Sequence, residues 1–177
     1  MKLETKDLLT GDEISTKEFL ELIDFSIKLK EENKTVKGKQ LLENKTLAML
    51  FEKPSTRTRV SFEAGMKQLG GHTIILSLNE MQYSRGESVE DTAKTLSGYV
   101  DGIVARVYEH SFIEDLAKHA TVPVINGLSN SYHPCQTLAD FMTIKEHKKK
   151  FKDIKIAWIG DGNNVCNSLI FGCSKTQ

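Results

Sequence analysis

Apolar runs of four to seven residues alternate with amphipathic stretches over most of this chain. Thr46–Phe51 (TLAMLF), His72–Leu78, Gly102–Val107 and Val122–Ile125 read as buried strands, short and bounded by turn residues. Helices are expected between and after them, over Thr56–Leu69, Ser88–Tyr99, Ser111–His119 and Cys135–Lys148. Gly70-Gly71 supplies a C-terminal stop for the first of these. Ser88 with Asp91, and Ser111 with Glu114, supply capping pairs for the next two. A further helix is expected ahead of the first strand, over Ser15–Lys30. Phe19, Leu22, Ile23 and Ile27 share one of its faces, and Ser15 with Glu18 caps it. The charged stretch from Glu31 to Lys39 reads as a loop.

Strands that alternate with helices imply an α/β fold, a parallel sheet flanked by helices on both faces. Ligands of such sheets bind outside the carboxyl ends of the strands, where the strand-to-helix loops lie. The charge run Lys148–Asp153 marks a boundary. Beyond it, Ile154–Ile159 reads as a fresh strand, Gly160–Asn164 as a turn and Val165–Lys175 as a helix. One strand–helix unit leaves both its sheet edges and its apolar faces uncovered. Residues 1–150 are therefore expected to form one domain, and 151–177 the first strand–helix unit of a second, truncated α/β domain.

Composition excludes several classes. Lysine plus arginine and aspartate plus glutamate balance at 24 each, so no long-range positive field favours nucleic acid or an anionic membrane. No apolar run approaches the roughly 20 residues that span a bilayer, and the N-terminus has no apolar signal core; a cytoplasmic location is expected. The three cysteines, Cys135, Cys166 and Cys173, are odd in number and lack zinc spacing, so they are expected to be buried or half-buried thiols. No cofactor and no metal site is expected.

Four sets of residues carry chemistry. In Phe51–Glu63, the segment Ser55-Thr56-Arg57-Thr58-Arg59 places three hydroxyls and two guanidiniums within five positions, where a strand ends and a helix begins. A helix N-terminus offers free N–H groups and partial positive charge, and arginine offers forked donors, so the junction suits a phosphate. Arg59, four residues before Glu63, is expected to pair with it on the helix surface. Ser131–Gln136 follows the fourth strand and faces the same crevice. Its His133 can donate to a developing oxyanion, and its Gln136 amide suits an amide-like group. Arg106 closes the third strand and must point at a ligand or a carboxylate. The fourth set is the polar loop Met81–Ser88. Nucleotide binding through Gly160-Asp161-Gly162 is the weaker alternative, because the third glycine and a later acidic residue are missing.

Taken together these segments closely resemble the aspartate/ornithine carbamoyltransferase family over nearly the whole chain. Ser55–Arg59 is similar to the family's carbamoyl-phosphate signature, and His133-Pro134-Cys135-Gln136 to its second motif. Cys135 within that motif, and Gln82 ahead of Arg85-Gly86-Glu87, are similar to the ornithine branch. The resemblance implies that Ser55, Thr56, Arg57 and Thr58 hold the phosphate. It implies that Arg106 and His133 polarise the carbonyl oxygen, with Arg57, Arg106 and His133 catalytic, and that Gln136 holds the carbamoyl amine. Pro134 and Cys135 complete the carbamoyl-phosphate set. Gln82 would reach a neighbouring subunit's phosphate site, which implies a homotrimer, and Asn167 would contact ornithine. The implied reaction forms citrulline and phosphate from carbamoyl phosphate and L-ornithine, within arginine biosynthesis. The branch's downstream acceptor-gripping segments lie past Gln177, so an incomplete enzyme is expected. Transfer to putrescine or another amine, and a non-catalytic carbamoyl-phosphate-binding fragment, stay open as alternatives.

Overall fold

A computed structural model describes residues 3–35 and 40–176. Four parallel strands form one sheet in the order β2-β1-β3-β4, with β1 at Thr46–Phe51, β2 at His72–Ser77, β3 at Gly102–Arg106 and β4 at Val124–Leu128. Among the described residues six α-helices accompany them: α1 at Thr16–Thr35, α2 at Thr56–Gln68, α3 at Val89–Ser97, α4 at His110–His119, α5 at Pro134–Lys148 and α6 at Asn164–Ser174. The α/β class read from the apolar pattern is therefore the fold.

The period of two along β1 explains how the layers divide. Ala48 and Leu50 join Ile103, Ala105, Ala93, Ile113 and Leu116 in one core, beneath α3 and α4. Leu47, Met49 and Phe51 point the other way and meet Phe62 and Met66 of α2, with Val104. The chain steps outward from β1 to β2 through α2, then returns across β1 to β3 through α3. Right-handed crossovers in opposite directions put their helices on opposite faces. The reversal leaves a crevice at the carboxyl ends of β1 and β3, the switch point where α/β sheets bind ligands.

Beyond β4, the expected face of α1 closes a third core. Phe19 and Ile23 pack with Ile14 and with Phe141 of α5, and Leu22 and Ile27 lie against them. The Ser15–Glu18 capping box is formed: Ser15 N donates to Glu18 Oε2 (2.8 Å) and Glu18 N to Ser15 Oγ (3.2 Å). Ser88 likewise caps α3 by accepting from Asp91 N.

Four local expectations need correction. First, α1 runs on to Thr35, past Lys30, because its lysines and glutamates are good helix formers and Lys28 and Glu32 sit one turn apart at 4.0 Å. The rest of that expected loop, 36–39, lies outside the described residues. Second, the Ser111–Glu114 capping box does not form. The helix starts at His110, whose N–H donates to Asn130 Oδ1 (3.2 Å), so a side chain from the loop after β4 takes the capping role. Third, β4 begins two residues late and continues through Asn126-Gly127, residues of low strand propensity. Tertiary contacts override propensity here: Asn126 is fully buried and its Nδ2 donates to Leu9 O (2.7 Å). Fourth, Ile154–Ile159 forms no strand. An extended segment becomes a strand when a neighbour takes up its N–H and C=O groups, and no strand pairs with it among the described residues. Ile156, Trp158 and Ile159 stay exposed, Ile159 at 97%.

Candidate functional site: an anion-binding cleft at the strand ends

The junction between β1 and α2 builds one wall of the crevice. Ser55 is extended (φ −154°, ψ 105°) and caps α2 by accepting from Thr58 N at 3.4 Å, which holds the first turn open toward the strand ends. No acidic residue lies in that first turn, so the positive end of the helix is left uncompensated. Arg59 pairs with Glu63 on the exposed face (3.1 Å), as its spacing predicts.

The end of β3 builds the floor. Between Ala105↔Asn126 and Arg106↔Leu128, β4 carries one extra residue, Gly127, a bulge at the last step of the ladder. A Cβ on Gly127 would lie 3.0 Å from Val104 Cγ1 and 3.2 Å from Ala105 O, so this close approach favours glycine. Bulges re-aim side chains at sheet ends. Arg106 follows this one, and its Nη1 donates to Thr58 Oγ1 at 3.0 Å rather than to a carboxylate. Its Nε is buried without a partner. Burial, and then the charge of Arg57, both push the Arg106 guanidinium below its ordinary pKa. It is a cation short of counter-charge, a condition that an anion in the cleft would relieve.

The far wall is the turn after β4 and the start of α5, with Pro134 at the first helical position. The imidazole of His133 is largely buried and its Nδ1 has no partner. Burial, and secondarily Arg106, lower its pKa from 6.5 to about 4. The ring is thus neutral near pH 7 and presents an N–H without adding charge. Burial also pushes the Cys135 thiol up to about 12, so it is not a nucleophile, and its Sγ donates to Asn126 O (3.5 Å). All three cysteines are half-buried free thiols.

Ser55, Thr56, Arg57, Thr58, Arg106, His133, Cys135 and Gln136 all line a single cleft of about 570 Å³. Pro134 is buried at its edge, packed against Gly11. Gln82 and Asn167 lie outside this cleft. Gln82 opens a single exposed helical turn, Gln82–Arg85, and Asn167 donates from Nδ2 to Ser131 O (3.0 Å). A larger groove of about 700 Å³ runs beside α2, but apolar residues dominate it and its charged pair, Lys45 and Asp101, is spent at 2.7 Å.

Sequence reasoning missed the residues that fix His133. Behind it, Ser129 is fully buried; its Oγ accepts from Ser131 N (3.3 Å) and Tyr132 N (3.1 Å) and lies 2.9 Å from His110 Nδ1. In front, α6 grips the same loop: Asn164 Nδ2 donates to Ser129 O (2.6 Å) and His133 N donates to Ser168 Oγ (2.8 Å). The signal available was Asn163-Asn164 and Ser168 in a stretch read as a turn and a plain helix. Among the described residues no cluster of histidine, cysteine, aspartate and glutamate is arranged to hold a metal. No helix among them is long and apolar enough to cross a membrane.

Fold and cleft define a class: a parallel α/β domain that gathers a helix N-terminus, two arginines and a neutral histidine in one cleft at the sheet's switch point. Comparison with known proteins narrows it. Residues 6–146 match the carbamoyl-phosphate-binding domain of the aspartate/ornithine carbamoyltransferases, and the chain belongs to that family. It is 59% identical over 174 residues to an ornithine carbamoyltransferase of Cenarchaeum symbiosum, a match covering 98% of this chain and 57% of the relative. An ornithine carbamoyltransferase of Bacillus thuringiensis subsp. konkukian is 56% identical, with 98% of this chain and 54% of the relative covered. Among solved structures, the ornithine carbamoyltransferase of Pyrococcus furiosus superposes with a TM-score of 0.94 at 50% identity, over 99% of this chain and 56% of that one. The Thermus thermophilus enzyme gives 0.92 at 44% identity, over 97% and 59%. The chain spans a little over half the length of these relatives.

Proposed function

We propose that this chain is the carbamoyl-phosphate-binding part of an ornithine carbamoyltransferase, with residues 151–177 opening the acceptor-binding part. The observation that carries the reading is the pairing of Arg106 Nη1 with Thr58 Oγ1 (3.0 Å), while Arg106 Nε and His133 Nδ1 stay buried and unpartnered beside the α2 N-terminus. Buried polar groups without partners are costly, and a ligand offering oxygens would satisfy those that donate.

In this reading the phosphate sits on the first turn of α2. Backbone N–H groups there and the side chains of Ser55, Thr56, Arg57 and Thr58 donate to it. The carbonyl oxygen of the carbamoyl group lies toward Arg106 and His133, and its amine toward Gln136. Pro134 and Cys135 shape the wall. The neutral δ-amine of L-ornithine attacks the carbonyl carbon, forming a C–N bond and an oxyanion. The oxyanion collapses, the C–O bond to phosphate breaks, and the amine loses a proton. The products are L-citrulline and phosphate. Arg106 and His133 stabilise the oxyanion as donors fixed in advance, and Arg57 offsets charge on the leaving phosphate. Asn167 contacts the acceptor, and Gln82 completes the phosphate site of a neighbouring subunit in a homotrimer. The setting is cytoplasmic arginine biosynthesis.

Calorimetric titration with carbamoyl phosphate and with inorganic phosphate tests the phosphate site. Arg57→Ala should weaken both by about tenfold or more, since a hydrogen bond to a charged group contributes about 1.5–3 kcal/mol. Affinities within twofold of the parent would refute the assignment. The alternative outcome is binding without turnover. A citrulline assay on the same preparation separates the two.

A further inference from the structure

The Gln136 amide has two chemically opposite ends, and one of them already has a partner. Its Nε2 donates to Asp140 Oδ1 at 2.8 Å, one helical turn along α5. An ionised carboxylate accepts and cannot donate, so chemistry dictates that the NH₂ end faces Asp140. Gln136 lines the cleft, and with Nε2 drawn toward Asp140 its carbonyl end is the one left to a ligand there. Asp140 does not itself line that cleft. We infer that Asp140 is a positioning residue for substrate discrimination: by holding Nε2 it makes Gln136 an acceptor, selecting ligands that carry NH₂ over isosteres that carry CH₃ there.

This rests on the carbamoyl-phosphate reading and deepens it. Carbamoyl and acetyl phosphates share shape, charge, carbonyl and phosphate, and differ in that one group. Every donor in the cleft, from Arg57 to His133, acts on the shared features and leaves the two undistinguished. Discrimination needs an acceptor near the amine, and an amide free to rotate about its last bond would present donor and acceptor alike. Gln–Asp pairs four residues apart also occur as plain helix-surface contacts. What sets this one apart is that its glutamine borders the anion site.

The test compares two stable phosphonates by calorimetry on the intact chain: phosphonoacetamide, which bears NH₂, and acetonylphosphonate, which bears CH₃. Inorganic phosphate serves as the probe of the phosphate site. The ratio of the two affinities is read, because a charge change at 140 acts equally on both ligands and cancels. The parent should favour the amide by about tenfold. Asp140→Ala should cut that ratio several-fold. Asp140→Lys, whose ammonium donates to Oε1 and turns NH₂ toward the cleft, should cut it further. In a Gln136→Leu background, Asp140→Ala should change nothing more, an outcome that a merely structural role would not give. Ratios within twofold of the parent in both variants, or no preference in the parent, would overturn the inference while the phosphate site stands. If inorganic phosphate and both phosphonates fail to bind the parent, the site itself is refuted and this inference with it.

Discussion

The neutral imidazole of His133 makes acid stability a direct probe of the cleft. An unfolded histidine titrates near 6.5, whereas in the fold this ring holds no proton until about pH 4. Between those values the unfolded chain binds a proton that the folded chain lacks, so stability rises with pH and is lost as pH falls through the window. The drop of about two and a half pH units corresponds to about 3.5 kcal/mol at about 1.4 kcal/mol per unit. Because the ring keeps some contact with the open cleft, about 2 kcal/mol is the working figure. The perturbation is His133→Gln, which cannot titrate. Urea unfolding at pH 7 and pH 4.5, without phosphate, gives ΔG for parent and variant at each pH. The buried His110 and the carboxylates titrate in both proteins and cancel in the difference. The parent should lose about 2 kcal/mol more than the variant between the two pH values. Equal losses would show that the ring titrates as if solvated, and a neutral donor at the oxyanion position would go with it.

Two further predictions bear on the site's borders. Arg59→Ala should leave phosphate affinity within twofold and unfolding free energy within about 1 kcal/mol, because its 3.1 Å pair with Glu63 is exposed; a calorimetric loss like that of Arg57→Ala would place Arg59 in the site. Gly172→Ala should lower the melting temperature by several degrees, since its Cβ would collide with the Phe141 ring and lie 2.6 Å from Thr137 Cγ2, and overpacking a core costs about 1–3 kcal/mol. A thermal melt within one degree of the parent would mean that α6 is not seated on α5.

The helices and strands were legible where local pattern and burial agree. β1 and β3 are continuous apolar runs because both their faces are covered, and α2 starts where Ser55 can cap it. The cleft was legible because topology alone assigns loops to the carboxyl ends of parallel strands. What escaped was set by contacts distant in the chain. The continuation of β4 through Asn126-Gly127 depends on Leu9 and on Val104, more than 100 and 20 residues away. The α4 cap comes from Asn130 rather than from Ser111, although Ser111 has the better local spacing. At Ile154–Ile159 the period is right for a strand, but pairing is a property of two segments and no reading of one segment can supply the second.

The same logic explains why the far wall of the cleft needs so many side chains. His133 sits in a turn, and a turn makes few backbone hydrogen bonds of its own. Its position is instead fixed from both sides. Ser129, His110 and Asn126 form a buried polar network behind it, and Asn164, Asn167 and Ser168 bind Ser129 O, Ser131 O and His133 N from α6. On the proposed carbamoyl-transfer reading this matters, because a donor must be held before the reaction if it is to stabilise charge without reorganising. In the sheet, the β1 ladder and the Gly127 bulge of β4 position Arg106 through the backbone; in the turn, that work passes to individual side chains. Three of them belong to α6, so seating that helix sets the geometry of a histidine more than 30 residues earlier in the chain.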